Sequence, residues 1–508
     1  MNASSVHEVV IVGGGFAGIG AAIKLDQAGF GDLLILESGD GVGGAWHWNT
    51  YPGVAVDIPS FAYQFSFDQR MDWSCIYAPG AELRRYAESC VDKYQLRDRI
   101  RLNTTVAGAT FDQQQHLWRL STADGREFNA RQMVLATGAV SQLKIPAFAG
   151  MEEFTGTVMH TARWDHSLDL RGKRVAVIGT GASAVQVIPA IAADVAHLTV
   201  FQRTPTWVLP KKDLRLPPLL QRALAALPGT RRLLRLLSQT VVELSAPVTV
   251  NFAIAAPIGQ LAEQYARKFL RREVVDPLVR EQLTPRYTFG CKRPSRSDDY
   301  LATFNRDNVS LETEGVDAIT ANGVRTVDGI DHPIDVVVLA TGFKVFESGN
   351  MPPFPITVGT IDLEAWWDVN RYQAYQGVSV PGFPNMYTIM GPYGFNGGSY
   401  FNLIEVQTRH IVRCLRQARR ISATCIEIRA DANAHYMQRM LSRRGGQLHY
   451  RNDCSGTNSY FFDRHGDSPF RPSLTLETIW EAATFDLDAY RYSTMPQVQE
   501  VPTVMPRA

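Results

Sequence analysis

Two glycine patterns carry the clearest chemistry in this chain. "VGGGFAG" supplies Gly13-x-Gly15-x-x-Gly18, with Phe16 and Ala17 inside the loop. "VIGTGASAVQ" supplies Gly179-x-Gly181-x-x-Ala184, with Thr180, Ala182 and Ser183 inside it. Loops of this kind present backbone N–H groups and a helix N-terminus to a pyrophosphate. Gly13 allows the tight turn, Gly15 lets phosphate approach the backbone, and Gly18 lets helix pack on strand. Glu37 stands 24 positions beyond Gly13, where a carboxylate accepts from ribose hydroxyls. Arg203 stands at the same offset from Gly179. An arginine cannot accept from a 2′-hydroxyl but pairs with a 2′-phosphate. The first site therefore reads as an adenine dinucleotide site without that phosphate, and the second as an NADP(H) site.

These side chains need βαβ units to position them. "EVVIVGGGFAGIG" gives an apolar strand, a glycine turn and a helix start, and "DLLILES" gives the next strand. Residues 173–204 repeat the layout about 165 residues later. Each unit is answered further on by an apolar strand ending in Ala-Thr-Gly, at 131–140 and 334–343. Glycine at such an end permits close backbone approach. After the ribose acid comes "GVGGAWHWNTYPGVAVDIPS", which holds Gly44, Trp46, Trp48 and Asp57. Its tryptophans suit the walls of a wide apolar slot for a flavin ring.

Length and composition bound the rest. At 508 residues the chain exceeds one compact core, which favours several domains. A net charge of +1 gives no global field to attract nucleic acid. The start enters a buried-type strand too early for a signal peptide, and no uninterrupted apolar run is long enough for a membrane span. The six cysteines form no CxxC pair, suit no zinc site, and read as reduced thiols of a cytoplasmic protein. No redox pair follows the first loop, which sets a disulfide reductase aside. Residues 213–275 show helical spacing broken by Pro and Gly. Their Leu/Arg face suits a membrane or a partner, but a helix packed on its own domain is the preferred reading. The end, "MPQVQEVPTVMPRA", is expected to fray.

One pattern matches neither loop. "FTGTVMHTARWDH" sets Phe154-x-Gly156-x-x-x-His160-x-x-x-Trp164-Asp165 just before the second βαβ unit. At every specified position it resembles the signature of type I Baeyer–Villiger monooxygenases, class B flavin-dependent enzymes. Two further stretches resemble that family: Gly43-Gly44-x-Trp46 followed by Tyr51-Pro52-Gly53 and Asp57, and "KRPSRSDDYLATFNRDNV" at 292–309. The resemblance runs from about residue 8 to about residue 400.

The resemblance implies an α/β fold with two Rossmann-like domains, for FAD and NADP, and a helical insertion in the second. The expected boundaries are 1–148 and 346–508 for FAD, 149–212 and 291–345 for linker and NADP, and 213–290 for the insertion. It implies that NADPH reduces FAD and that O2 adds as a C4a-peroxide. An oxygen atom then enters beside a ketone carbonyl to give an ester or lactone. Arg293 is implied as the cation beside that anion, with Asp57 pairing and orienting it. Taken alone, Lys292 and Arg293 read as two surface cations before a proline. The family match reverses this and gives Lys292, Arg203 and Thr204 to the 2′-phosphate, and Tyr63 to the flavin site. His160 and Trp164 are expected to hold the hinge between domains.

Oxidation of sulfides or amines by a related flavin monooxygenase stays open as the alternative. A small-molecule ketone and O2 are the expected partners, with sulfide as a second substrate. Oligomeric state is unreadable, a monomer included. One departure concerns the C-terminal loop over NADP, where many members carry Trp and "CSGTNSYFFDRHG" carries Tyr460.

Overall fold

A computed structural model describes residues 6–243, 252–451, 454, 457 and 459–495. The chain opens with β1 (Val6–Val12), α1 (Phe16–Gln27) and β2 (Leu33–Leu36). Val9 to Val12 pair in parallel with Leu33 to Leu36, and every residue of β2 is buried. Continuous apolar strands are what a parallel sheet covered on both faces requires. The short α2 (Ala45–Trp48) and α3 (Gly80–Lys93) precede β3 (Ile100–Arg101). Then β4 (Val106–Asp112), β5 (Leu117–Thr122) and β6 (Glu127–Leu135) form an antiparallel meander. β6 returns beside β1 in parallel.

The second sheet comes from the middle of the chain. It contains β7 (Thr157–His160), β8 (Arg174–Ile178), β9 (His197–Phe201), β12 (Val309–Glu312) and β16 (Val336–Leu339). Its order is β12-β9-β8-β16-β7, with every pair parallel. α4 (Ala182–Ile191) follows β8. A separate parallel pair joins β10 (Val208–Leu209) to β11 (Ser295–Arg296). β13 (Val316–Thr320), β14 (Gly323–Thr326) and β15 (Asp331–Pro333) make an antiparallel three-stranded sheet.

The C-terminal part returns to the first sheet. β17 (Ile356–Val358) and β18 (Ile361–Asp362) extend its β4 edge, and β19 (Met386–Thr388) pairs with β6. The first sheet is thus assembled from both parts of the chain that flank the second. The helix Tyr400–Arg420 buries Phe401, Ile404, Ile411 and Leu415 in one core with Phe16, Ile19 and Ile23 of α1. The helix expected around "IEVQTRHIVRCLRQARR" is this one.

Between β10 and β11 lie α5 (Pro218–Ala226), α6 (Thr230–Glu243), α7 (Phe252–Glu273) and α8 (Pro277–Gln282). Pro218 and Pro277 open their helices, where a missing N–H costs nothing. The Asp276 side chain caps α8 by accepting from the Leu278 and Val279 amides. Leu224 of α5 and Leu234 of α6 pack against the core that holds α1, while Leu219, Leu220, Leu227, Leu233, Leu236 and Leu237 lie exposed. The terminus expected to fray lies outside the described residues from 496 onward.

The cysteine expectation is also corrected. Cys291 and Cys454 are joined by a disulfide across 163 residues, and Cys75, Cys90, Cys414 and Cys425 are free. No spacing rule reveals such a pair, because only the fold brings the two segments together. Thiol titration of the unreduced, denatured protein is expected to find the four free cysteines. Reaction of all the cysteines before any reductant is added would show the bond is not formed.

Candidate active site

The two glycine turns are built alike. Gly13 has φ +113°, and a Cβ there would lie 2.5 Å from the Ala136 carbonyl oxygen. Gly179 has φ +117°, and its Cβ would lie 2.5 Å from the Ala340 oxygen. Each turn therefore presses against the Ala-Thr-Gly end of the neighbouring strand. The close approach expected at those ends is first of all between two backbones. Gly18 packs on Gly13, where a Cβ would meet the Gly13 oxygen at 1.9 Å. Gly15 has the Gly44 backbone against it, whereas Gly181 faces open space.

Gly15 and Gly181 are the N-cap residues of α1 and α4, and no described side chain caps either helix. The first-turn N–H groups are thus available to an anion, and the residues present fit a pyrophosphate at each start. Phe16 and Ala17 are buried, so only their backbone can serve a ligand. Phe16 instead packs in an aromatic cluster with Tyr63, Phe65, Tyr86 and Phe401. Ala182 and Ser183 open α4, and the Thr180 hydroxyl donates to the Thr204 carbonyl at 2.8 Å. Glu37 ends β2 as a buried carboxylate that accepts from the Gly14 and Gly39 amides. It ties both flanking loops together where a ribose would lie.

The central feature is an ion pair. Arg293 Nη2 donates to Asp57 Oδ1 at 2.6 Å. The Asp57 charge, more than any other cause, raises the Arg293 pKa above its ordinary value, and burial opposes it. The guanidinium is set among protein groups on several sides, yet 49 % of the side chain stays open to solvent-accessible space. Tyr460 also lies close to the guanidinium, and the two shift each other's pKa, raising that of the guanidinium and opposing the rise that burial gives the phenol. Tyr63 lies close enough to feel both charges, and its hydroxyl accepts from Trp46 Nε1 at 3.0 Å. Burial pushes the Tyr51 and Tyr63 phenols up to about 12, so both remain protonated donors. The fixed cation and the two phenols are thus gathered around Asp57, with Tyr63 and its indole partner against Phe16 of α1 and Tyr51 on Gln186 of α4.

Lys292 and Arg203 come together one residue away. Burial pushes the Lys292 ammonium down to about 8, and the Arg203 charge adds to the shift. Two cations held close without a described acid between them invite a dianion. Cys291 directly precedes this pair, so its bond to Cys454 staples the Tyr460 segment beside Lys292 and Arg293.

The Phe-Gly-His-Trp pattern joins the two sheets. A Cβ on Gly156 would lie 2.3 Å from the Asp335 oxygen and 2.6 Å from the Phe154 ring, so only glycine fits there. β7 lies along β16, with His160 opposite Leu339. His160 is buried, its Nδ1 accepts from the Ala162 amide, and burial lowers its pKa. Its ring packs on Phe343, just past the second Ala-Thr-Gly. Arg163 lies 3.9 Å over the Trp48 ring, and His166 Nε2 meets Thr50 Oγ1 at 2.9 Å. Trp164 packs into the core of the second sheet. Trp48, expected beside a flavin, is thereby engaged with the linker.

Gln186 escaped the sequence reading. Its Oε1 accepts from the Tyr51 hydroxyl at 2.8 Å and the Ala55 amide, and its Nε2 donates to the Ala55 carbonyl at 2.9 Å. It pins the Tyr51–Asp57 stretch onto α4. Gly53 sits so close to α4 that a Cβ would lie 2.6 Å from the Gln186 oxygen. The available signal was one amide in the apolar run "AVQVIPAI".

The geometry can be set beside known proteins. A family model described as pyridine nucleotide-disulphide oxidoreductase matches residues 10–269. A protein of Pseudomonas aeruginosa named Baeyer-Villiger monooxygenase is 35% identical over 504 residues, covering 96% of this chain and 92% of the relative. A solved oxidized steroid monooxygenase bound to NADP superposes with a TM-score of 0.85 at 28% identity, covering 97% of this chain and 100% of its own. The enzyme OTEMO in complex with FAD and NADP superposes at 0.83 with 25% identity, covering 96% and 99%.

Gln186→Ala strips partners from the Tyr51 hydroxyl and both backbone groups of Ala55. A loss of about 1–3 kcal/mol is expected. Hydrogen exchange should rise in residues 51–57 while α1 is unaffected. Unchanged exchange in that stretch would deny Gln186 its tethering role.

Proposed function

The chain belongs to the Baeyer–Villiger monooxygenases within the wider pyridine nucleotide-disulphide oxidoreductase family, and on that premise we propose roles for its residues. The enzyme uses FAD, consumes NADPH and O2, and inserts one oxygen atom beside a ketone carbonyl to give an ester or lactone. Bound FAD supplies hydride acceptance from NADPH and the activation of O2. The observation that carries the assignment of residues is the Arg293–Asp57 pair at the junction of the two nucleotide folds.

Gly13, Gly15, Phe16, Ala17 and Gly18 hold the FAD pyrophosphate through backbone, and Glu37 takes the ribose. Gly44, Trp46, Asp57 and Tyr63 line the flavin end. Gly179, Thr180, Gly181, Ala182 and Ser183 hold the NADP pyrophosphate, with Arg203, Thr204 and Lys292 around the 2′-phosphate. Arg293 is the catalytic cation. Oxygen insertion develops negative charge on oxygen in a sheltered cleft, and a guanidinium aimed there stabilises it without reorganising. Asp57 keeps that guanidinium charged and oriented. Tyr460 is a positioning residue that stands beside the guanidinium. Sulfide or amine oxidation is not favoured over ketone oxygenation. Among the described residues no helix is long and apolar enough to cross a membrane, and the demand for NADPH points to the cytoplasm.

Arg293→Ala is expected to keep FAD binding and flavin reduction by NADPH and to lose ketone oxygenation. The loss of one such donor is worth about 3–4 kcal/mol in the oxygenation step. Stopped-flow absorbance separates the two half-reactions, and full ester formation by the variant would remove Arg293 from the chemistry.

A second expectation follows from Lys292. Its pKa of about 8 in the free enzyme must rise beside a 2′-phosphate, so NADPH binding takes up a proton at higher pH. Below about pH 8 the ammonium is already charged and affinity is level. Above it, the KM for NADPH rises by up to about tenfold per pH unit. The rise should vanish in Lys292→Arg and be absent with NADH. A pH-independent KM for NADPH up to the alkaline limit of stability would place Lys292 elsewhere.

A further inference from the structure

α5 and α6 carry apolar side chains on the outward face that a surface helix normally keeps polar as well as on the inward one. In α6 the residues Leu233, Leu236, Leu237 and Val241 recur at helical spacing and all point to solvent, with Leu236 64 % exposed. Leu219, at 78 %, and Leu227 continue the exposed face on α5, which buries no residue. The inward side of α6 carries Leu234 and Val242 together with Arg235, whose guanidinium donates to the Gln64 carbonyl at 2.7 Å and to Asn402 Oδ1 at 3.2 Å. A soluble helix turns its apolar stripe to the core. Here Leu224 and Leu234 rest on the core beside an inward arginine, and the other leucines of the two helices stay outside. An exposed apolar face of this size marks an interaction site.

The charges around it narrow the occupant. Between Asp213 and Glu243 the chain has five arginines and no acidic residue. Arg215, Arg222, Arg231 and Arg232 are exposed beside the leucines. A second copy docking through the same face would bring arginine against arginine with no carboxylate from this stretch to pair. Leucines flanked by arginines and free of acids suit an anionic lipid surface, where leucines enter the acyl boundary and guanidinium groups meet the headgroups. The hairpin is firmly seated from behind. Gln221 Nε2 donates to the Trp73 carbonyl, the Leu216 amide donates to the Ser74 carbonyl, and the Ile76 amide donates to the Leu214 carbonyl.

We propose that the α5–α6 face docks this enzyme onto anionic membrane surfaces without crossing them. The proposal does not depend on the reaction assigned above, and its readout does not use it.

The test is flotation of the FAD-loaded enzyme with vesicles of phosphatidylcholine alone and of phosphatidylcholine mixed with phosphatidylglycerol. The wild type is expected to float with the mixed vesicles, less with the neutral ones, and to be released by high salt. Arg231→Gln and Arg232→Gln should each lower partitioning about fivefold at low salt. Leu236→Ser with Leu237→Ser should abolish flotation while flavin absorbance and NADPH oxidation stay at wild-type levels. A wild type that fails to float with either vesicle overturns the proposal. So does a leucine variant that floats as well as the wild type. A dimer in solution that the leucine variant dissolves would assign the face to a second copy instead.

Discussion

A guanidinium held in a cleft by one carboxylate is the constraint on which the arrangement depends. Arg293 sits 2.6 Å from Asp57, and the two belong to segments 236 residues apart. A charge partly withdrawn from water needs a partner, or its cost grows with every neighbour that excludes solvent. Asp57 supplies that partner from the first nucleotide half, and Arg293 arrives from the second. The pair is therefore complete only when the halves are correctly docked.

Much of the surrounding structure can be understood as holding that docking. Gln186 of α4 grips Tyr51 and Ala55 just ahead of Asp57. Arg163 and His166 of the linker reach back to Trp48 and Thr50 on the same stretch. The Cys291–Cys454 bond ties the segment before Tyr460 to the residue just ahead of Lys292 and Arg293, and Tyr460 lies near the guanidinium. An amide clamp, a cation–π contact, a hydrogen bond and a covalent staple thus converge on the two segments that carry one ion pair. At Tyr460 a phenol oxygen, which can accept from a cation, stands near the guanidinium where an indole N–H could only donate.

The α5–α6 hairpin bears on the same region from outside. Arg235 reaches the Gln64 carbonyl beside Tyr63, and Asn402 beside Tyr400 and Phe401. The exposed leucines lie on the opposite side of a roof whose inner side closes over the aromatic cluster. The leucines left outside make a surface suited to something less polar than water.

The local features were legible in the sequence, because each depends on residues close in the chain. Both βαβ units follow from apolar runs broken by glycine turns, and steric limits at Gly13, Gly18 and Gly179 require those glycines. The Phe154-x-Gly156 spacing is equally local, since the ring of one packs where the other lacks a Cβ. What only the tertiary structure decided is long-range juxtaposition. Gln186 with Tyr51, Cys291 with Cys454, and Arg293 with Tyr460 are pairings of residues far apart in the chain, and no periodicity encodes them. Even the face of α6 was undecidable beforehand, because helical spacing says that an apolar stripe exists and only packing says whether it is covered.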